Sequence, residues 1–448
     1  MFQRKNKAIT PAQIIILGFL LLILVGTALL MLPCSTRSPG GASFLEALFT
    51  ATSATCVTGL IVQDTATYWS SFGHLVILLL IQIGGMGVVT MAIAFSMIRG
   101  KRIGLKQRWV MQESISAPQV GGIIAMTKFI ILATFTMEAV GAFFMAFHFC
   151  REYDFLTGLW YSIFHSISAF CNAGFDLMGT PEARCVSLTG HTFDPLITIP
   201  IALLIILGGL GFATWHDVVT HRFRFRSYRL QSKLVLTVTA SLLLGSFLLF
   251  FFEFQLPQWQ TFSRSQQIQA AFFQAVTPRT AGFNTVDLSA LSPVGQVSTI
   301  VLMLIGGSPA STAGGFKITT LALLILNIRA TFRRRENAHC FGRRIPDESM
   351  TAAAAIFMLY CLLFLGGGLF ICGVDGVPLM VAMFESASAI ATVGLSLGVT
   401  GTLSPLSHIV LIVLMYLGRV GSLTLLYAVT SPSNSTQSRF PEERVTVG

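Results

Sequence analysis

The chain has 448 residues, 53% hydrophobic and only 11% charged, with a net charge of +10. Apolar runs such as 14–32 and 234–252 are long enough to cross a bilayer, which excludes an ordinary soluble core. The positive charge points to membrane topology rather than nucleic acid: of 29 Lys and Arg, 21 fall at 4–7, 99–108, 222–233, 329–344 and at Arg439 with Arg444, each beside an apolar hairpin. The opposite loops hold Asp64, Glu152, Asp154, Asp176, Glu182 and Asp194. Positive loops stay cytoplasmic, so a multi-pass protein of the plasma (inner) membrane with both termini cytoplasmic is expected. The basic rim then faces anionic lipid and any cytosolic partner.

In chain order, the apolar runs predict four repeats within a single pore domain, 1–448. Repeat one, 12–98, has an outer helix at 12–32, a pore helix at 43–55 and an inner helix at 72–98. The run 14–32 behind basic residues has the order of a signal peptide, but it is too long and lacks a small-residue cleavage site, so a retained helix is predicted. Repeat two, 124–221, has these helices at 124–148, 155–170 and 195–221. Repeat three, 232–330, has them at 232–252, 265–278 and 294–330; repeat four, 349–430, at 349–373, 377–390 and 404–430. A polar cytoplasmic tail, 431–448, follows. The expected fold is an all-α membrane protein: four helix–pore-loop–helix repeats, with eight transmembrane helices and four re-entrant pore helices around one central pore.

The re-entrant segments share a pattern. They read Cys56-Val57-Thr58-Gly59, Cys171-Asn172-Ala173-Gly174, Thr280-Ala281-Gly282 and Ala391-Thr392-Val393-Gly394, with the glycines 115, 108 and 112 residues apart. A phenylalanine stands ten residues before each glycine: Phe49, Phe164, Phe272 and Phe384. A dehydrating cation needs oxygens to replace its water, and backbone carbonyls supply them without a full charge in the membrane. Glycine reaches the required backbone angles without a steric penalty. The carbonyls expected to hold the ion are those of Val57, Thr58, Asn172, Ala173, Thr280, Ala281, Thr392 and Val393.

The inner helices carry a second repeated signature. It reads Gly84-Gly85-Met86-Gly87 and Gly208-Gly209-Leu210-Gly211 in repeats one and two, where small residues let membrane helices approach closely. In repeat three it becomes Gly306-Gly307-Ser308-Pro309-Ala310-Ser311-Thr312-Ala313-Gly314-Gly315, which should unwind the helix. In repeat four it is Gly418-Arg419-Val420-Gly421. At 1.5 Å per residue the break begins about 18 Å into its helix and Arg419 lies about 22 Å into its own. Both fall just below the filter on the cytoplasmic side. An intramembrane arginine faces a partner or water. Arg419 is expected to donate to free carbonyls of the 306–315 loop, which would then block the pore; neutralising a buried acid is the alternative.

Four further residues are singled out. Glu138 is expected to bond pore-helix hydroxyls, Arg279 to brace the third pore helix, and His165 to be a packed, hydrogen-bonded side chain. Lys317 either pairs with an acid or snorkels. The eight cysteines have no metal-ligand spacing, and Cys150 and Cys185 fall on one face, leaving a disulfide open.

These filters, the stretch 306–317 and Leu417-Gly418-Arg419-Val420-Gly421 resemble the Trk/Ktr/HKT superfamily of cation transporters over about residues 10–430. The pattern is most similar to the membrane subunit of bacterial Ktr potassium uptake systems, since eight spans rather than ten are expected. Glycine at position 59, where serine accompanies sodium preference in that superfamily, implies potassium. The resemblance also implies an intramembrane gating loop, a pore-facing arginine, a homodimer with one pore per chain and a cytosolic ring of nucleotide-binding regulatory subunits. No bound cofactor is expected; potassium is the transported ion, with sodium a candidate coupling or activating ion. A sodium-translocating or weakly selective transporter is the alternative. His-Glu-x-x-His does not occur, and the one Gly-x-Ser-x-Gly match, Gly394-Leu395-Ser396-Leu397-Gly398, belongs to the fourth filter segment, so an intramembrane enzyme is disfavoured, and a mere membrane anchor would not need four filters.

Overall fold

The computed structural model describes residues 10–99, 104–114, 122–222, 224–335 and 337–421. The basic residues at 4–7, the end of the expected fourth inner helix at 422–430 and the tail 431–448 lie outside them. Four long apolar helices begin the repeats: Pro11–Leu30, Ile123–Glu152, Leu230–Glu253 and Asp347–Asp375. By length and composition each can cross a membrane.

Each outer helix is followed by a short, largely buried pore helix: Phe44–Cys56, Phe155–Phe170, Arg264–Val276 and Leu379–Ile390. Three begin on side-chain caps. Ser43 pairs with Glu46 and Ser263 with Gln266 in capping boxes, while Asp154 accepts from Thr157 N–H. The fourth begins after Pro378. These exposed caps fix where the helices start and satisfy N–H groups of their first turns before the chain enters the interior.

The inner helices depart from expectation. The runs 72–98 and 195–221 are not continuous. Ser71–Met86 is bent by 95° from the helix after it, and Pro195–Gly209 by 93° from Phe212–His221. The breaks fall at Gly87 (φ +87°) and Gly211 (φ +82°), and the fourth inner helix, Pro405–Val420, is followed by Gly421 at φ +88°. The equivalent position of repeat three is Pro309, whose ring forbids that angle. There the helix stops earlier, at Leu304, and resumes only at Ile318, leaving 305–317 irregular.

The repeats close on one another. Tyr416 of the fourth inner helix donates to Ile16 O of the first outer helix at 2.8 Å. The basic loop between repeats three and four holds the two-strand hairpin His339–Cys340 and Arg343–Arg344.

Repeat three is also one residue short. Phe49, Phe164 and Phe384 are fully buried, but Phe272 is 36% exposed and its neighbour Phe273 takes the buried site at 1%. A hydroxyl residue stands four positions after each buried phenylalanine (Ser53, Ser168, Thr277 and Ser388), so Gly282 comes one residue sooner than its counterparts. Phe273→Ala should therefore cost about 3–5 kcal/mol by cavity formation. Phe272→Ala should cost less than about 1 kcal/mol. Thermal unfolding of the two purified variants checks the order.

Candidate functional site

Each pore helix ends in a turn that no ordinary residue adopts readily. Val57, Asn172, Thr280 and Thr392, each two residues before its glycine, have φ of +58°, +59°, +66° and +50°. Gly59, Gly174, Gly282 and Gly394 follow at +93°, +69°, +82° and +93°. The hydroxyl residue upstream holds the turn in place. Gly59 N–H donates to Ser53 Oγ at 3.1 Å and Gly394 N–H to Ser388 Oγ at 3.0 Å. Ser168 Oγ donates to Phe175 O at 2.7 Å, and Thr277 Oγ1 donates to Phe283 O.

The four glycines form a closed ring in chain order. A Cβ on Gly59 would lie 2.5 Å from Ala173 O, one on Gly174 2.7 Å from Ala281 O, and one on Gly282 2.5 Å from Val393 O. A Cβ on Gly394 would collide with Thr58 O, which returns the ring to repeat one. The carbonyls of Thr58, Ala173, Ala281 and Val393, half of the predicted ion ligands, thus sit side by side. The other half belong to Val57, Asn172, Thr280 and Thr392, the left-handed residues; there Asn172 Nδ2 donates to Thr280 Oγ1 at 3.3 Å, linking two repeats. Thr58 Oγ1, Asn172 Oδ1 and Thr392 Oγ1 are buried without a hydrogen-bond partner among the described residues. Such oxygens are costly in a dry interior. The C-terminal ends of the pore helices, which carry partial negative charge, precede the same loops.

Not all predicted filter residues join the ring. Cys56 is buried as the last residue of its pore helix. Cys171 packs behind its loop, near Gly85 of the first inner helix, and donates to Glu138 Oε1 at 3.8 Å. Ala391 O faces the 306–315 loop, 2.9 Å from where a Cβ on Gly314 would stand.

That loop lies beneath the ring, touches repeats two and four, and is linked to repeat one through Arg419. Ser308 N–H donates to Gly209 O at 2.9 Å, Phe212 N–H to Ala310 O at 2.9 Å and Thr312 Oγ1 to Phe170 O at 3.1 Å, all across to repeat two. Gly314 abuts Thr392 of repeat four. Arg419 donates to Thr312 O, to Gly84 O at 2.5 Å and to Gly85 O at 3.1 Å. Its partners among the described residues are carbonyls, two of them freed by the break at Gly87, rather than a buried acid. Within repeat three, Gly306 N–H donates to Phe316 O at 2.9 Å and closes the base of the loop. Ser311 Oγ donates to Ser308 O at 2.6 Å. Gly307 lies against Ala313 and Gly209, and Gly315 against Gly306. A cavity of about 260 Å³ lies beside the loop, lined by Gly87, Thr90, Pro309, Lys317 and Arg419 among others.

The remaining expectations divide. Gly84 and Gly208 do serve close approach, against Thr55 O and Phe170 O of their pore helices. His165 is buried, with Nδ1 on Tyr161 O at 2.7 Å and Nε2 accepting from Leu177 N–H at 3.3 Å. Glu138 does not bond pore-helix hydroxyls through its carboxylate, which accepts from Gln82 Nε2 at 3.0 and 3.1 Å. Ser166 donates instead to its backbone O at 2.6 Å. Among the described residues Lys317 pairs with no acid, and it does not snorkel: Nζ donates to Ala313 O at 2.7 Å. Arg279 is buried beside the third loop with Nε unpartnered among the described residues. Cys150 and Cys185 are free thiols. Sequence reasoning missed Glu385, which accepts from Ser396 Oγ at 2.5 Å and Thr400 Oγ1 at 2.8 Å and so braces the limb leaving the fourth loop. It sits next to Phe384 as His165 sits next to Phe164, a repeat that was open to notice.

Residues 3–439 match the family model of TrkH, cation transport protein. The chain belongs to that family. It is therefore a multi-pass membrane cation transporter and not an enzyme. It is 38% identical to the Ktr system potassium uptake protein B of Bacillus subtilis, over 100% of both chains. It is 37% identical to the potassium/sodium uptake protein NtpJ of Enterococcus hirae, over 100% of this chain and 99% of the relative. The crystal structure of the potassium transporter TrkH from Vibrio parahaemolyticus superposes with a TM-score of 0.72 at 21% identity, covering 96% of this chain and 87% of the other. That likeness concerns the fold.

Asp176 follows the ring at two residues past Gly174. Burial raises its carboxyl to about 6, and the nearby Asp64 adds to the rise. The group is thus anionic above about 6 and neutral below. Lowering the pH on that side from 7.5 to 5 should reduce cation flux, and Asp176→Asn should flatten this step. Flux through reconstituted protein at the two pH values checks it.

Proposed function

We propose that the chain takes up potassium through the ring formed by Gly59, Gly174, Gly282 and Gly394, with the adjoining carbonyls replacing the ion's water. The closed ring is the observation that carries this assignment. Closure through all four repeats supports carbonyls that share one axis, and the unpartnered oxygens of Thr58, Asn172 and Thr392 are of the kind a cation satisfies. Potassium rather than sodium is favoured because no side chain intrudes at the glycines. The relatives named for potassium uptake, and the one named for potassium and sodium, are consistent with this and with a less selective variant. Unlike residues beside the glycines make discrimination weaker than in a ring of four identical loops.

The 306–315 loop is the gate in this proposal, and its place beneath the ring supports a closed arrangement. Arg419 and Lys317 hold the loop shut through bonds to the neighbouring carbonyls of Thr312 and Ala313. The basic loops, with both termini, face the cytosol and receive a ring of nucleotide-binding regulatory subunits, and the chain acts as a homodimer. Support for these two partners is the membership in a family whose relatives are named as parts of a Ktr system.

Flux of potassium and sodium into proteoliposomes, wild type against Gly59→Ser, tests the filter. Potassium-selective flux that loses selectivity in the variant is expected, since a side chain at position 59 meets Ala173 O. Equal flux of both ions, unchanged by the substitution, contradicts it. Deleting 308–314 should raise flux severalfold. A well-folded deletion with unchanged or lower flux shows that the loop is no barrier.

A further inference from the structure

On the face opposite the basic loops, three parts of repeat two bring ligand-bearing side chains together. His148 and Glu152 stand one turn apart at the end of Ile123–Glu152. His191 ends the short helical turn Thr189–His191, and Asp194 caps the inner helix Pro195–Gly209. His148 Nε2 lies 2.9 Å from Glu152 Oε2, and His191 Nε2 lies 3.9 Å from the same oxygen. The ligand atoms of His148, Glu152 and His191 all fall within 4.8 Å of one another. The other nitrogen of His148, Nδ1, meets Asp194 Oδ2.

A neutral imidazole carries one N–H, yet both nitrogens of His148 face carboxylate oxygens. With the proton on Nδ1 toward Asp194, the Nε2 lone pair points at Glu152 Oε2. Two acceptors at that distance need a positive charge between them, either a second ring proton or a metal ion. Metal bonds of about 2.0–2.2 Å separate tetrahedral ligand atoms by roughly 3.3 Å, within the spacings observed. A carboxylate on the far nitrogen is the usual partner of a metal-ligating histidine and fixes its tautomer. Two imidazoles and one carboxylate suit late first-row divalent ions.

We infer that His148, Glu152 and His191 form a binding site for a divalent cation of the zinc type, oriented by Asp194. The site joins the outer helix of repeat two to the 187–192 segment. That segment is itself bonded to the limb leaving the third ring loop. Leu188 N–H donates to Asn284 O at 3.0 Å, Asn284 N–H to Ser187 Oγ at 3.2 Å, and Thr192 Oγ1 to Thr285 O. An occupied site therefore clamps the outer rim of the ring and acts on it from outside the ion path.

The test is Zn²⁺ titration by calorimetry of the untagged, chelator-stripped full chain in detergent, with Co²⁺ absorption as a spectroscopic probe. One saturable Zn²⁺ per chain is expected. Affinity should fall by about tenfold or more in Glu152→Gln and His191→Ala, and by about tenfold in Asp194→Asn, which removes the carboxylate but keeps a capping oxygen. Each variant is first shown to elute as the wild type does. Absence of a saturable site in the wild type overturns the inference, as does undiminished affinity in both Glu152→Gln and His191→Ala. His148 is then an imidazolium held between two carboxylates.

Discussion

The structure depends on one constraint: four loops of irregular backbone must meet in a closed ring within an apolar protein and be kept there without water to relax into. Irregular backbone is tolerated in the hydrocarbon region only where protein buries it or a water-filled cavity meets it. Four short helices meet that demand. Each ends in a left-handed residue and a glycine, and each loop is tied back to its helix by a hydroxyl. The ring closes only because no Cβ stands at any of the four glycines, so each loop's carbonyl can lie against the next loop's glycine. Covalent linkage of the repeats allows the loops to differ, and Val57, Asn172 and Thr280 occupy equivalent places with different side chains.

The inner helices serve the same constraint from outside. Gly84, Gly208 and Gly418 let them press against the last carbonyls of the pore helices. Three residues on stands a positive-φ glycine, which in repeats one and two turns the chain away. Repeat three has proline there, so its chain loops under the ring instead. The loop then borrows its hydrogen bonds from its neighbours: carbonyls of the broken second inner helix on one side, Arg419 on another. Arg419 is satisfied in turn by carbonyls that the break in the first inner helix exposes. Departures from fourfold symmetry in three repeats therefore fit together as one assembly. An arginine without those free carbonyls would be a buried charge of high cost.

The glycine spacing, the hairpins and the interruption at 306–315 were legible in the sequence, because positive φ and helix breaking are properties that glycine and proline carry wherever they occur. The bends at Gly87 and Gly211 were not, since a glycine that permits close packing and one that breaks a helix are the same letter. The short register of repeat three was hidden by the pair Phe272-Phe273, which supplies a phenylalanine at either spacing. Cys56 and Cys171 read as filter residues by adjacency alone, while side-chain direction puts Cys171 behind its loop. The bond of Arg419 to a carbonyl of the 306–315 loop was legible, but its bonds to Gly84 and Gly85 and the partners of Glu138 and Lys317 depend on which groups the folded chain leaves free, and no residue pattern records that. The histidines of repeat two are far apart in sequence and meet only when the 187–192 segment folds against the outer helix.

The central claim is that the ion is held by carbonyls on the axis of the glycine ring. Anomalous diffraction from crystals grown in thallium or rubidium, both potassium mimics, tests it most directly. The account predicts anomalous peaks on that axis, flanked by the carbonyls of Thr58, Ala173, Ala281 and Val393. An empty axis with strong peaks elsewhere in the protein would contradict it.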